Sequence, residues 1–173
     1  MARDAVAAFR LETPRLVLRH LAHRDLAAHL ATRADPLTRR FQGFARRYGV
    51  LEALAFFAWM RDRDPAGGGW FNLCIAERAD DRHAGDVALN VAGGEAMLGV
   101  TLERRVQGRG YATEALTAML DWLEGRGIGV FRAEIDARNL RSIALFEGRL
   151  GFALQDSYLD GAVTVKRYAR PSG

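Results

Sequence analysis

Ala112, Ala115, Leu116, Met119, Leu120 and Leu123 recur at i, i+3, i+4, i+7, i+8 and i+11, which draws one apolar stripe along a helix. "EAMLGVTLE" (Glu95 to Glu103) before it and "VFRAEIDA" (Val130 to Ala137) after it both read as strands, and Gly125, Gly127 and Gly129 stop the helix in between. A strand–helix–strand passage crosses over to make a parallel pair, so the sheet that contains it cannot be a simple meander. The helix starts directly after "RVQGRG" (Arg105 to Gly110), where two glycines and two arginines meet its N-terminal end.

The rest of the chain supplies mostly antiparallel partners. "RLVLRHL" (Arg15 to Leu21) alternates as a first strand, and "AHRDLAAHLATRA" follows as a short helix that Asp35-Pro36 should break. "GVLEALAFFAWMRDRD" reads as a second helix, ended by "DPAGGG". "WFNLCIAER" (Trp70 to Arg78), "GDVALNV" (Gly85 to Val91) and Glu95 to Glu103 are joined by short turn-like connectors, as in an antiparallel meander. "LRSIALFEGR" is a short helix, and "GFALQDSYL" and "VTVKRYA" around "DG" form a closing hairpin. With no repeat and no linker, residues 1–173 read as one α/β (α+β) domain. Its central sheet of about seven strands is mixed, mostly antiparallel and flanked by helices.

Composition narrows the function only broadly. A chain 49% hydrophobic and 27% charged belongs with soluble globular proteins. No apolar run approaches the roughly 20 residues of a membrane span, and "MARDAVAAFRLETPRL" lacks the pattern of a secretory signal. The single cysteine, Cys74, allows no internal disulfide, and a cytoplasmic protein fits these features. A net charge of +4, carried by arginines spread along the chain, suits anionic ligands without requiring them.

The glycine loop is the strongest chemical signal. A helix N-terminus leaves about four backbone N–H groups without partners and carries roughly half a positive charge. Gly108 and Gly110 bare that end to an anion, and Arg105 and Arg109 add charge beside it. Glu114 would then have to face away. A plain glycine turn with solvated arginines has the same wording. The dinucleotide fingerprint would need a third glycine where Thr113 stands, and a nucleotide P-loop would need Lys-Ser or Lys-Thr after its last glycine.

Arg105-Val106-Gln107-Gly108-Arg109-Gly110 resembles the Q/R-x-x-G-x-G/A signature of the GNAT N-acetyltransferase superfamily, in that family's strand–loop–helix setting. "LETPRLVLRHLAHRDL", "GYATEAL" and "NLRSIALFEGRLGF" (Asn139 to Phe152) are similar to segments of its ribosomal-protein N-terminal acetyltransferase branch, in the same order. The resemblance implies a sheet splayed between its fourth and fifth strands and acetyl-CoA as cosubstrate. The pyrophosphate would lie on the amides of Gln107, Gly108, Arg109, Gly110, Tyr111 and Ala112, with Arg105 beside it. The pantetheine arm would run along the strand of Leu98, Val100 and Leu102, and Asn139 would hydrogen-bond it near the thioester.

The implied reaction is direct acetyl transfer from a thioester to a primary amine. A backbone N–H between Leu98 and Leu102 would steady the oxyanion, and Ser142 is the candidate donor to the leaving thiolate, with a helix cap as its other reading. Phe146 stands where many members have an acidic tyrosine, and Gly148 looks like an insertion that could shift the register of Ser142 and Phe146. Met97 stands where the branch often has a glutamate. Glu95, two residues earlier on the same strand face, is the candidate base, with Glu103, Asp86 and Glu134 as other sheet carboxylates.

Several features carry less. Cys74 reads as a buried thiol, and His20, His23, His29 and His83 show no metal spacing, so no metal is expected. Phe56, Phe57 and Trp59 read mainly as core, with one of them able to wall the acceptor site. Arg46 and Arg47 could attract an acidic acceptor. The acceptor expected from the resemblance is a protein N-terminal α-amine, with a small amine such as an aminoglycoside or polyamine as the alternative. A catalytically silent acyl-CoA-binding module is a third reading. A specific nucleic-acid binder lacks a motif or clustered basic stripe. No membrane partner is expected, and the protein would act as a monomer or homodimer.

Overall fold

Among the described residues, eight strands form one sheet in the order β1-β2-β3-β4-β5-β6-β8-β7. They are β1 (Arg10–Glu12), β2 (Leu16–His20), β3 (Gly69–Glu77), β4 (His83–Ala92), β5 (Glu95–Leu102), β6 (Val130–Asp136), β7 (Ala153–Asp160) and β8 (Val163–Pro171). The helices are α1 (Leu26–Ala34), α2 (Pro36–Phe41), α3 (Val50–Met60), α4 (Tyr111–Glu124) and α5 (Leu140–Gly148). The structure is a computed structural model that describes residues 9–42 and 48–173. All neighbouring strands run antiparallel except β5 and β6, the pair joined through α4.

Two local features correct the sequence reading. The eighth strand is β1, whose three residues pair Arg10 with Arg19, Leu11 with Leu18 and Glu12 with Val17. A strand so short shows no period. Asp35-Pro36 does end α1, but it also starts a second helix. The Asp35 carboxylate accepts from Leu37 N at 2.9 Å and Thr38 N at 3.1 Å, and Pro36 sits in the first turn, where its missing N–H costs nothing.

The sheet has two unlike faces. Phe71, Leu73, Val87, Leu89 and Leu98 share one face by strand alternation, and all are buried. Helix α4 covers it with Ala115, Leu116, Met119, Leu120 and Leu123, each fully inaccessible. Phe71, His20, Phe9 and Trp122 touch in sequence from sheet to helix. At about 1.5–3 kcal/mol for each large apolar side chain buried, this layer is the main anchor of α4. The opposite face is polar beneath α1: Arg33 Nη1 reaches Asp86 Oδ2 at 2.9 Å, and Asn72 Nδ2 donates to Asp86 Oδ1 at 2.7 Å. Helix α3 joins α1 on that side through the edge contact of Phe57 with His29 at 5.1 Å.

Candidate active site

The parallel pairing of β5 with β6 lasts for three residues, Glu95 to Val130, Ala96 to Phe131 and Met97 to Arg132. Beyond it β5 stays with β4 as far as Leu102, while β6 stays with β8 as far as Asp136. The sheet therefore parts between β5 and β6, the fourth and fifth strands of the sequence reading, and a cleft passes through it. Leu98, Val100 and Ile135 line the cleft towards the face covered by α4, together with Asn139, Ser142 and Phe146 of α5 and its cap. Gly99, Glu134 and Asp136 line it towards the α1 face, with Phe41 and Gln42 at the end of α2.

The glycine loop closes one end of this gap. Gly108 and Gly110 adopt φ of +77° and +79°, a left-handed backbone that residues with a Cβ enter at a cost. A Cβ on Gly108 would meet no atom within 4 Å, so the turn is open on that side. The first bond of α4 to the loop runs from Glu114 N to Gly110 O at 3.0 Å, which leaves the amides of Tyr111, Ala112 and Thr113 ahead of the helical ladder. Glu114 does face away: Thr13 Oγ1 donates to it at 2.6 Å and Arg15 N at 2.9 Å. Burial opposes its charge, but these bonds hold its carboxyl below the usual range. Arg15 Nη1 also donates to Arg109 O at 2.8 Å and so ties the loop to β2. Gln107 bridges to β5 through Leu102 O at 3.1 Å and accepts from Arg141 of α5 at 3.2 Å.

Arg105 departs from expectation. Its guanidinium turns inward, Nε to Glu103 Oε2 at 2.7 Å and Nη1 to Glu77 Oε2, so its charge is already committed within the chain.

On α5 the cap belongs to Asn139, whose Oδ1 accepts from Ser142 N at 3.2 Å. Ser142 is thus inside the first turn, with its hydroxyl not spent on capping and its residue lining the cleft. Phe146 lines the cleft as well and is wedged edge-on against Phe152 at 5.0 Å. Gly148 is the last residue of α5, and just beyond it Arg149 N and Leu150 N both return to Leu145 O.

Glu95 does not reach the cleft lining. It sits at the closed end, clamped by Arg132 through Nε at 2.6 Å and Nη2 at 2.7 Å, and that fork holds its carboxyl below the usual range. Asp136 is held low in the same way by Arg138, at 2.6 Å. Glu134 accepts from Tyr158 Oη at 3.1 Å. Sequence alone ranked it level with Glu103 and Asp86; only the strand splay singles it out. Phe41 and Gln42 were missed altogether, because a helix starting at Asp35-Pro36 was not expected.

The remaining candidates lie elsewhere. Glu103 pairs with His83 at 2.8 Å and Arg105, and these bonds outweigh its burial and keep it low. Asp86 is fully buried and held well below its usual range by His29 and Arg33, against a large burial penalty. His29, His83 and Asp86 gather ligand atoms within 4.8 Å of one another, but Arg33 Nη1 lies 2.8 Å from His29 Nδ1 and 2.9 Å from Asp86 Oδ2. The Arg33 guanidinium thus already partners both His29 and Asp86. Cys74 is fully buried, which pushes its thiol far up. Phe57 is core, whereas Trp59 is 45% exposed, with Phe56 stacked on it at 6.2 Å. Arg46 and Arg47 lie outside the described residues. No helix among the described residues is long and apolar enough to cross a membrane.

The family model for the acetyltransferase (GNAT) domain matches residues 15–153. The curated proteins hold no significant match to the sequence. Among solved structures, a GNAT-family acetyltransferase from Bacillus anthracis superposes with a TM-score of 0.81 at 14% identity, over 95% of this chain and 99% of that one. An acetyltransferase from Salmonella typhimurium that modifies the N-terminal serine of ribosomal protein L7/L12 gives 0.77 at 19% identity, over 94% and 99%. A spermidine N-acetyltransferase from Vibrio cholerae, in complex with CoA and spermine, gives 0.77 at 16%, over 92% and 97%. At these identities the likeness is one of fold.

Proposed function

The chain belongs to the GNAT acetyltransferase family, and on that premise we propose that it transfers acetyl from acetyl-CoA directly to a primary amine, a protein N-terminal α-amine. The observation that carries this reading is the gap between β5 and β6, flanked by Asn139 and Ser142 on one face of the sheet and by Glu134 on the other. The two substrates would approach from opposite faces and meet where the strands part. The residues fit a CoA donor: the open glycine turn and the first amides of α4 suit a pyrophosphate, and β5 beyond Met97 has an edge no longer paired to β6. The cosubstrate supplies the thioester; the chain supplies alignment and proton handling.

In the proposed reaction the amine nitrogen bonds to the thioester carbonyl carbon, the C–S bond breaks, and sulfur leaves as thiolate. A backbone N–H of the Leu98 to Leu102 strand stabilises the oxyanion. Ser142 Oγ donates to the departing sulfur, the role that Phe146 cannot fill. Glu134 accepts the proton lost by the amine, whose pKa near 8 asks little of a base. Glu95, held by Arg132, is set aside.

Charge on the acceptor face supports a peptide over a polyamine. Of the two carboxylates that line the cleft there, Asp136 is already neutralised by Arg138. One remaining carboxylate, Glu134, matches one ammonium rather than a polycation. A cytoplasmic setting goes with this reading.

The test is thiol release from acetyl-CoA with peptides starting in Ala, Ser or Met, alongside polyamines and aminoglycosides. Turnover with the peptides is expected. Turnover confined to small amines would overturn the acceptor, and CoA binding with no turnover on a broad panel would make the protein a silent acyl-CoA module.

A further inference from the structure

Arg105 stands just before the glycine loop and Tyr111 just after it, and the two side chains grip the same carboxylate. Glu77, the last residue of β3, receives Arg105 Nη1 on Oε2 and Tyr111 Oη on Oε1, the latter at 3.1 Å. Glu77 itself is firmly placed: its side chain is largely buried, and its backbone N–H and C=O close the β3–β4 turn with Arg82 O at 2.8 Å and Asp81 N at 2.9 Å. A second carboxylate, Glu103, binds Arg105 Nε at 2.7 Å and is backed by His83 Nδ1 at 2.8 Å, while Arg105 Nη2 donates to His83 O. Between the two grips only Val106 to Gly110 are left to bend, and Val106 is fully buried. We propose that Glu77 is a positioning residue for the pyrophosphate loop: by holding both flanks at once it fixes the span over which the loop amides converge.

This inference rests on the CoA reading of the loop and deepens it. It also reverses the role that sequence suggests for Arg105. Two carboxylates on one guanidinium leave no surplus positive charge there for a phosphate. Recognition then falls to the amides, whose geometry matters more than any nearby charge.

The two roles for Arg105 predict opposite signs for one substitution. Were Arg105 a phosphate ligand restrained by Glu77, Glu77→Gln would release it and tighten CoA binding. If Glu77 sets the span, Glu77→Gln lets the loop spread and must weaken CoA binding. The expected loss is about tenfold, the factor for ordering roughly one more backbone residue on binding. Pantetheine, which lacks the pyrophosphate, should bind the variant as it binds the unsubstituted protein. Tyr111→Phe removes one of the two grips, keeps the ring under Arg15 (4.9 Å), and should give a smaller loss with the same selectivity for CoA over pantetheine. It carries the test if Glu77→Gln fails to fold.

The measurements are calorimetric titrations of both variants with CoA and NMR titrations with pantetheine. Selective loss of CoA affinity supports the inference. Unchanged or tighter CoA binding, or equal weakening of CoA and pantetheine, overturns it and leaves the acetyltransferase reading intact. Failure of the unsubstituted protein to bind CoA overturns both.

Discussion

Gly99 offers the sharpest separation of folding from chemistry. It lies in the middle of β5, opposite Ala88 on β4, two residues past the last β5–β6 pair. Its φ is not positive, and a Cβ built on it meets no heavy atom within 4 Å, because it points into the cleft. Glycine inside a strand costs roughly 0.5–1 kcal/mol relative to alanine, and β-branched side chains suit strands. Gly99→Val should therefore leave stability unchanged or raise it by up to about 1 kcal/mol, a Tm gain of about 2–4 °C for a chain this long. Its isopropyl group would nevertheless stand on the α1 face of the gap, where the proposed reaction has the amine arrive. A displacement of about 1 Å from the reactive geometry costs on the order of 100-fold, so acetyl transfer should fall by at least that factor. In the proposed reaction acetyl-CoA approaches from the other face, so it should bind as before. Thermal denaturation, calorimetric titration with acetyl-CoA and thiol release with the best acceptor of the panel measure the three quantities. Transfer at the original rate by the folded variant would refute passage of the amine through the gap at Gly99. A clear fall in Tm would refute the open space beside it.

Gly110→Ala should cost about 1–2 kcal/mol from its left-handed backbone, since the new Cβ meets only Arg15 Nη2 at 3.4 Å. Gly110→Glu should in addition cut acetyl-CoA affinity severely, and full affinity in a folded Glu variant would remove the pyrophosphate from this loop. Ser142→Ala should leave Tm unchanged but lower kcat about 100-fold, in the range for a lost proton donor. Asn139→Ala should cost about 1 kcal/mol as a lost helix cap; the reverse pattern would exchange their roles. Burial holds His29 and His20 below their ordinary pKa, so the unfolded chain takes up protons first as pH falls below about 6.5. Stability should decline from there towards their lowered folded values, by up to about 1.4 kcal/mol per pH unit for each group. Asp25 and Asp86 are shifted down in the folded state against their burial, by Arg19 and by His29 with Arg33. Their contribution is full above about pH 4 and is lost below it. Urea midpoints that stay level between pH 7.5 and 5 would contradict the histidine part.

What sequence resolved and what it missed divide along a physical line. The stripe from Ala112 to Leu123, the meander and the closing hairpin are local patterns whose period is fixed by backbone geometry, and all appear in the fold. The three-residue β1 and the helix begun by Asp35-Pro36 are set by a neighbouring strand and by one capping carboxylate, and neither leaves a period to detect. Glu134 illustrates the same limit at the site. Strand alternation favours Glu95 and leaves Glu134 as one more sheet carboxylate; only the point at which β5 leaves β6 puts Glu134 in the cleft and Glu95 outside it.

Arg105 shows why charge near a glycine loop is a poor guide to what the loop binds. A guanidinium beside an exposed helix end would be drawn to phosphate, but here two carboxylates 28 and 2 residues away in sequence reach it first. The nearer of them, Glu103, could be noticed in the sequence. The farther, Glu77, is brought up by the β3–β4 turn, and no spacing rule links it to Arg105. On the proposed reading, the pyrophosphate loop owes its shape to a part-buried ion-pair network and its positive potential to amides. Raised salt should then weaken CoA binding less than a site built on exposed arginines would allow, because amide dipoles fixed by a part-buried network are poorly screened. A steep loss of CoA affinity between 50 and 300 mM salt, roughly tenfold or more, would return the phosphate to the arginines.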